Sequence, residues 1–138
     1  MEPQTVILID DSQEDAALME RALKRIVPPV KFKWIGDATE GLQLLLDWTP
    51  DESTVIFMDI KMPKISGLEI LEELSEHDKL SAIHQINMLS SSVLRQDIDR
   101  ALRYPNVTYN TKPEGYVALR QLLRDIISPT QPTSPVNP

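Results

Sequence analysis

Aspartates stand at the points where two strongly apolar runs of the chain end. The run from Val6 to Ile9 leads directly into Asp10 and Asp11, and the run from Val55 to Met58 leads directly into Asp59. Such runs are typical of buried parallel strands, whose carboxyl ends meet at the ligand-binding edge of an open α/β sheet. We therefore expect the three carboxylates to lie close together.

Three neighbouring carboxylates repel one another, which raises some of their pKa values and favours a bound cation. Mg²⁺ takes oxygen ligands and commonly combines one or two carboxylates with phosphate oxygens. A carboxylate beside such an ion can also act as a nucleophile, since aspartyl phosphates are established covalent intermediates. The cluster predicts a small, open metal site that accepts a phosphoryl group.

Two polar side chains near later strands would complete such a site. Phosphoryl transfer depends mainly on positioning and on neutralising the charge of the phosphoryl oxygens. Ser90 follows the predicted fourth strand and offers a hydroxyl group, and Lys112 follows the fifth strand and offers a mobile positive charge. We expect both at the same edge of the sheet as the carboxylates.

The elements that must position these residues alternate between strand patterns and helix patterns. We predict strands at residues 5–9, 30–34, 54–58, within 83–89 and at 107–110. We predict helices at residues 12–26, from residue 37, and at 65–74, 94–102 and 116–127. Five strands alternating with five helices predict an α/β fold with a doubly wound parallel sheet and helices on both faces.

Two local patterns refine this arrangement. Ser12 with Asp15 three residues later is a variant of the capping box that begins helices. Phe32 alternates with Lys31 and Lys33, which is typical of a strand with one wetter face. The second strand is therefore predicted at an edge of the sheet.

Composition limits the classes of function. The 138 residues suit one domain, and the absence of cysteine excludes disulfides, thiolate catalysis and cysteine-bound zinc. A net charge of −7 argues against nonspecific nucleic-acid binding, and no apolar run is long enough to span a membrane. The first strand leaves no room for a signal peptide, so we expect a cytoplasmic protein. We expect a folded domain over residues 1–127 and a disordered, proline-rich tail over 128–138.

These features together resemble the receiver domain of two-component response regulators, in the single-domain form similar to chemotaxis and phytochrome-associated receivers. The residues that carry the resemblance are Asp10, Asp11, Asp59, Met62, Pro63, Gly67, Ser90, Tyr109, Lys112 and Pro113. Several matching motifs that follow one another in the expected order at the ends of successive strands indicate the family more strongly than any one motif does. The resemblance implies a five-stranded sheet in the flavodoxin-like order 2-1-3-4-5.

The resemblance assigns roles to the acidic residues. Asp59 would accept the phosphoryl group, and Asp11 and Asp59 would bind Mg²⁺ directly, with Mn²⁺ as a substitute ion. Asp10 would act largely through water, and the backbone carbonyl of Lys61 would complete the protein ligands.

The resemblance also implies how a signal is received and passed on. Ser90 and Lys112 would bind the phosphoryl group, and Tyr109 would turn inward as a switch residue when Ser90 moves. A sensor histidine kinase or a histidine phosphotransfer protein would donate the phosphoryl group. An unknown downstream protein, or a second copy of the chain, would bind the surface of the fourth helix, fifth strand and fifth helix. No direct contact with nucleic acid or membrane is expected, and the only catalysis expected is phosphorylation and dephosphorylation of the chain itself.

Two other functions compete with this interpretation. A phosphatase of the haloacid-dehalogenase class also uses an aspartate nucleophile and Mg²⁺, but it needs a second aspartate where this chain has Lys61. A nucleotide-binding or flavin-binding module needs a glycine-rich loop after the first strand, and the chain has only four glycines, none of them there. The alternating charges at residues 95–103 are typical either of a solvated helix face or of a docking surface.

Overall fold

A computed structural model of the protein describes residues 5–26, 29–49, 53–91 and 93–127. Its strands are β1 Thr5–Ile9, β2 Lys31–Ile35, β3 Thr54–Asp59, β4 Ile86–Ser90 and β5 Val107–Thr111. They form one parallel sheet in the order β2-β1-β3-β4-β5. The predicted fold class and strand order are both confirmed.

Helices cover both faces of this sheet. Within the described ranges they are α1 Gln13–Leu23, α2 Ala38–Leu46, α3 Gly67–Glu76, α4 Arg95–Leu102 and α5 Tyr116–Ile127, with a short 3₁₀ helix at Leu80–Ala82. The helices α1 and α5 contact each other and pack their apolar residues against one face. The helices α2, α3 and α4 contribute to a second apolar cluster on the other face. This is the two-sided covering that a doubly wound sheet requires.

The central strands bring the acidic residues to one edge of the sheet. Every residue of β3 and β4 is buried, because helices cover both faces. Ile9 in β1 pairs with Met58 in β3, so the residues that follow, Asp10 and Asp59, emerge side by side. The register of the sheet therefore places the aspartates that follow two separate apolar runs next to each other.

The strand β2 lies at one edge of the sheet, as its alternating pattern predicted. Lys31, Lys33 and Trp34 are exposed, Phe32 is half-buried, and only Ile35 is buried. This pattern differs from that of β1, an inner strand that is buried from Val6 onward because its side chains pack into the apolar clusters on both faces of the sheet. No helix within the described part of the chain is both long and apolar enough to cross a membrane.

Several element boundaries differ from the prediction. The helix α1 ends at Leu23 rather than residue 26, because the amides of Arg25 and Ile26 donate to carbonyls three residues back and tighten the last turn. The helix α3 begins at Gly67 rather than residue 65, because Ser66 forms a full capping box with Glu69. The strands β3, β4 and β5 each continue one residue further than predicted. The predicted tail at 128–138 lies outside the described residues and stays a prediction.

Candidate functional site

The carboxylates predicted to converge do so at the carboxyl edge of the sheet. Oxygen atoms from Asp10, Asp11 and Asp59 all lie within 4.8 Å of one another. Asp10 is 1% exposed and Asp59 is 6% exposed, whereas Asp11 is open to solvent. The cluster therefore combines two buried carboxylates with one that solvent reaches.

Hydrogen bonds fix the position of Asp10 from several sides. The Ser12 amide donates to Oδ1 of Asp10 at 2.9 Å, and the Asp10 amide donates to the carbonyl of Ile35 at 3.1 Å. The indole Nε1 of Trp34 donates to the Asp10 carbonyl at 2.6 Å. Sequence reasoning did not predict this contact of Trp34, because strand order alone does not show where the indole of an edge strand lies.

Lys112 extends its ammonium group into the acidic cluster. Its Nζ lies 3.2 Å from Oδ2 of Asp10 and 3.4 Å from Oδ2 of Asp59. Its backbone amide donates to the carbonyl of Ser90 at 2.9 Å, which ties the end of β5 to the end of β4. The predicted convergence of Lys112 with the carboxylates is therefore observed.

Asp15 is a member of the site that sequence reasoning missed. Its Oδ2 lies 2.6 Å from Nζ of Lys112, closer than either of the other two carboxylates. The sequence indicated only a helix-start role, which its backbone does fulfil by donating from the amide to Oγ of Ser12 at 3.1 Å. The available signal was position, since Asp15 lies in the first turn of α1, the helix that begins directly after Asp10 and Asp11.

Burial changes the acidity of the two inner carboxylates. Burial raises the pKa of Asp10 to about 6; the Ser12 amide opposes this rise, the Asp59 charge adds to it, and Lys112 opposes it. Burial also raises the pKa of Asp59, against Lys112 and the hydrogen bonds from the amides of Lys61 and Ile60. Both groups are therefore costly to keep ionised without a compensating cation.

Lys112 is the compensating cation within the chain itself. Burial alone would lower its pKa, but the hydrogen bond to Asp15 and the charges of Asp10 and Asp59 raise the pKa above its usual range. The side chain therefore remains protonated across the physiological pH range. One ammonium group faces three carboxylates, so the site keeps a net negative charge.

The other predicted site residues lie around this cluster and differ in how deeply they are buried. Ser90 is fully buried at the end of β4, one residue beyond Leu89, which pairs with Asp59. Tyr109 lies within β5, half-buried against the apolar cluster beneath α2, α3 and α4. Lys61 is exposed, and its backbone amide hydrogen-bonds to the Asp59 carboxylate. The predicted ligand role of the Lys61 carbonyl stays a prediction.

Gly67 allows α3 to begin directly against the end of β3. A Cβ atom at this position would collide with the carbonyl oxygen of Asp59 and lie 3.0 Å from Cε of Met88. The Gly67 amide donates to the carbonyl of Ile60 at 2.8 Å. Only glycine fits this close approach, which fixes the backbone on which the Asp59 carboxylate stands.

The donor set fits a hard divalent cation. All three clustered groups offer carboxylate oxygen, the ligand atom that Mg²⁺ and Mn²⁺ prefer. The net negative charge left beside Lys112 provides the electrostatic reason for a cation to bind.

Comparison with known proteins agrees with this geometry. The family model described as "Response regulator receiver domain" matches residues 6–124. The chain is 25% identical over 128 residues to the probable methanogenesis regulatory protein FilR2 of Methanothrix harundinacea, covering 91% of this chain and 82% of FilR2. It is 30% identical over 91 residues to stress response regulator protein 1 of Debaryomyces hansenii, covering 66% of this chain but only 36% of that protein.

Solved structures share the fold. The phosphorylated cyanobacterial phytochrome response regulator RcpA superposes with a TM-score of 0.76 at 24% identity, covering 94% of this chain and 96% of RcpA. The Mn²⁺-bound form of response regulator Rcp1 superposes with a TM-score of 0.75 at 23% identity, covering 99% and 100% of the two chains. The haloacid-dehalogenase alternative is not supported by these findings. Because the family match spans nearly all of the described chain, the protein belongs to the response regulator receiver domain family.

Proposed function

We propose that the chain receives a phosphoryl group on Asp59 from a phosphohistidine of a sensor kinase or phosphotransfer protein. The observation that carries this proposal is the convergence of a buried Asp59 with two further aspartates and the Lys112 ammonium. A haloacid-dehalogenase phosphatase would use the same kind of nucleophile and cation, but it needs a second aspartate where this chain has Lys61. Membership of the receiver family supports the proposed role of Asp59.

In the proposed transfer, an oxygen of the Asp59 carboxylate forms a bond to phosphorus as the bond from phosphorus to the donor histidine nitrogen breaks. The leaving imidazole keeps the bonding electron pair and takes up a proton, so the histidine is returned in its neutral form. The Lys112 ammonium neutralises charge on the phosphoryl oxygens, and the Ser90 hydroxyl donates a hydrogen bond to one of them. The amides of Lys61 and Ile60, which already hydrogen-bond to the Asp59 carboxylate, hold it in position.

The proposed cofactor is Mg²⁺, with Mn²⁺ as a substitute. Asp11 and Asp59 would bind it directly, Asp10 largely through water, and the Lys61 carbonyl would complete the protein ligands. When bound, the ion supplies the charge neutralisation that lets an anionic phosphoryl group approach three carboxylates. The Mn²⁺ found in Rcp1, on the same fold, supports this assignment.

We propose that the output surface is the face formed by α4, β5 and α5. Large apolar side chains are exposed in or next to these helices, at Leu94, Leu102 and Val117. The half-buried Tyr109 would turn inward after phosphorylation as Ser90 moves towards the phosphoryl group, and this would change the face that a downstream protein, or a second copy, contacts. The chain would thus signal in the cytoplasm without acting on a separate substrate.

The test is phosphorylation by a small phosphodonor in the presence of Mg²⁺, followed by intact mass measurement. We expect a phosphate-sized gain in the parent chain and none in Asp59→Asn. The matched control is Asp47→Asn, which removes an exposed aspartate at the end of α2, outside the acidic cluster, and should leave the gain unchanged. A gain that persists in Asp59→Asn, or no gain with any donor, would contradict the proposal. Steady turnover of a phosphomonoester would instead favour a phosphatase.

A further inference from the structure

The ammonium group of Lys112 is shared unequally among three carboxylates. Its Nζ lies 2.6 Å from Asp15, 3.2 Å from Asp10 and 3.4 Å from Asp59. The shortest contact is therefore with the one carboxylate of the three that lies outside the cluster of Asp10, Asp11 and Asp59. Asp15 is also the most exposed of the three, with 42% of its side chain open to solvent.

The Lys112 side chain borders a small cavity on the side of the site away from Asp59. A cavity of about 40 Å³ lies beside Lys112 and Asp15, on the side of α1 and α5, and apolar residues including Leu18, Met19 and Leu119 line it. The contact with Asp15 holds the ammonium on this side of the site. The contact with Asp59 is the longest of the three, so a phosphoryl group on Asp59 would draw the ammonium away from Asp15 and towards the end of β3.

The backbone that carries Asp15 is held in place. It belongs to the first turn of α1, where the Asp15 amide donates to Oγ of Ser12 and the Ala16 amide donates to the Ser12 carbonyl. The helix itself packs against α5 and the sheet through buried residues such as Met19. Because α1 is anchored in this way, the Asp15 backbone stays in place, and the long Lys112 side chain has the greater freedom to shift when the distribution of charge changes.

Building on the proposed phosphorylation of Asp59, we propose that Asp15 is a positioning residue for Lys112. It holds the ammonium towards α1 in the unphosphorylated chain and competes with the phosphoryl group for it. A phosphoryl group brings roughly 1.5 to 2 negative charges and three strong acceptor oxygens. Lys112 must weaken its contact with Asp15 to meet them, so Asp15 stabilises the unphosphorylated state relative to the phosphorylated one.

The expected size of this competition is modest. A charge-assisted hydrogen bond is stronger than a neutral one, but the partial exposure of Asp15 to solvent screens it. Replacing the carboxylate by an amide should therefore tighten binding of a phosphoryl analogue by about three- to tenfold.

The experiment measures the affinity of beryllofluoride, a non-covalent phosphoryl analogue, for the full chain with Mg²⁺. Asp15→Asn keeps the backbone of the helix start and should bind beryllofluoride about three- to tenfold more tightly than the parent. Glu14→Gln is the matched control, because it removes one charge from an exposed neighbour in the same turn and should bind as the parent does. Asp15→Glu, which restores a carboxylate, should return the affinity towards the parental value.

A second comparison tests whether Asp15 acts through Lys112. In a Lys112→Ala background, Asp15→Asn should leave the affinity unchanged, since the shared ammonium is gone. Equal tightening in both backgrounds would show general electrostatics and would overturn the inference. Parental affinity in Asp15→Asn would also overturn it, while leaving phosphorylation of Asp59 intact. Absence of any Asp59-dependent binding or phosphorylation in the parent would overturn the proposed function and the inference together.

Discussion

Lys112 and Arg100 each lie within hydrogen-bond distance of a carboxylate, but their surroundings differ. Lys112 contacts Asp10 and Asp59 at 3.2 and 3.4 Å, where the carboxylates are almost fully buried. Arg100 on α4 contacts Glu72 on α3 at 2.9 Å, where the two side chains are 41% and 45% exposed. The surface contact is shorter than either contact of Lys112 with these two buried carboxylates, yet only Lys112 lies at the acidic cluster.

The difference lies in how far water is excluded from each pair. At the sheet edge, burial raises the pKa values of Asp10 and Asp59 and leaves negative charge only partly compensated. At the α3–α4 surface, solvent screens both charges, and exposed pairs of this kind typically contribute little to stability. Burial, rather than a short distance between the charges, therefore determines how strongly a charge cluster affects pKa values and stability.

The largest expected effect comes from removing the buried cation. Lys112→Met should lower the free energy of unfolding of the metal-free chain by about 2–3 kcal/mol at pH 8, because Asp10 and Asp59 lose their compensating charge. The loss should be smaller at pH 5, where Asp10, with its pKa of about 6, is mostly protonated when folded and no longer needs the ammonium. Urea unfolding at the two pH values measures this. Equal losses of unfolding free energy at both pH values would indicate that the substitution acts through lost packing instead.

The second effect is a pH dependence of metal binding. Because the pKa of Asp10 is raised to about 6, a proton competes with a divalent cation below that pH and not above it. Affinity for Mg²⁺ or Mn²⁺ should be nearly constant from pH 7 to 8 and should fall by about tenfold per pH unit below pH 6. Calorimetric titration would show this. Asp10→Asn should bind more weakly but with a shallower dependence, and a flat parental profile from pH 5 to 7 would contradict the prediction.

A smaller effect is expected from a neutral hydrogen bond at the same edge. Trp34→Phe keeps an aromatic ring but loses the donor to the Asp10 carbonyl, which should cost about 1 kcal/mol of unfolding free energy. Denaturant unfolding monitored by circular dichroism measures this change. An unchanged midpoint and slope of the unfolding curve would mean that a water molecule replaces the indole donor without loss of stability.

The smallest effect is expected at the exposed pair. Glu72→Gln should change the unfolding free energy by less than about 0.5 kcal/mol, and the change should vanish at high salt. Parallel urea unfolding at low and high ionic strength measures it. A loss of unfolding free energy comparable with that of Lys112→Met would show that exposed and buried charges contribute alike in this protein.

Prediction from the sequence succeeded where a local pattern determines the structure. The apolar runs before Asp10 and Asp59 indicated buried strands, and the alternation around Phe32 indicated an edge strand. It failed where two local signals competed. Ile65 suggested an earlier start for α3, but the capping box of Ser66 and Glu69 begins the helix after it.

The sequence predicted only some of the residues that form the site, because local patterns do not show long-range contacts. The local pattern around Asp15 already explained this residue as part of a helix start, so this pattern indicated no second role. Its contact is with Lys112, which is 97 residues away in the chain. Trp34 has no local feature that marks its bond to the Asp10 carbonyl. Contacts of this kind form only when separate strands and helices are packed together.

The sequence by itself determined that carboxylates, a hydroxyl group and an ammonium group end up at one edge of a parallel sheet. It could do so because strand period and strand order place residues without reference to exact distances. Only the tertiary structure decided which carboxylates are buried and how Lys112 is shared among them. Those outcomes depend on the packing of α1 against α5 and on the close approach of Gly67 to β3, where differences of less than an ångström decide which contact is made.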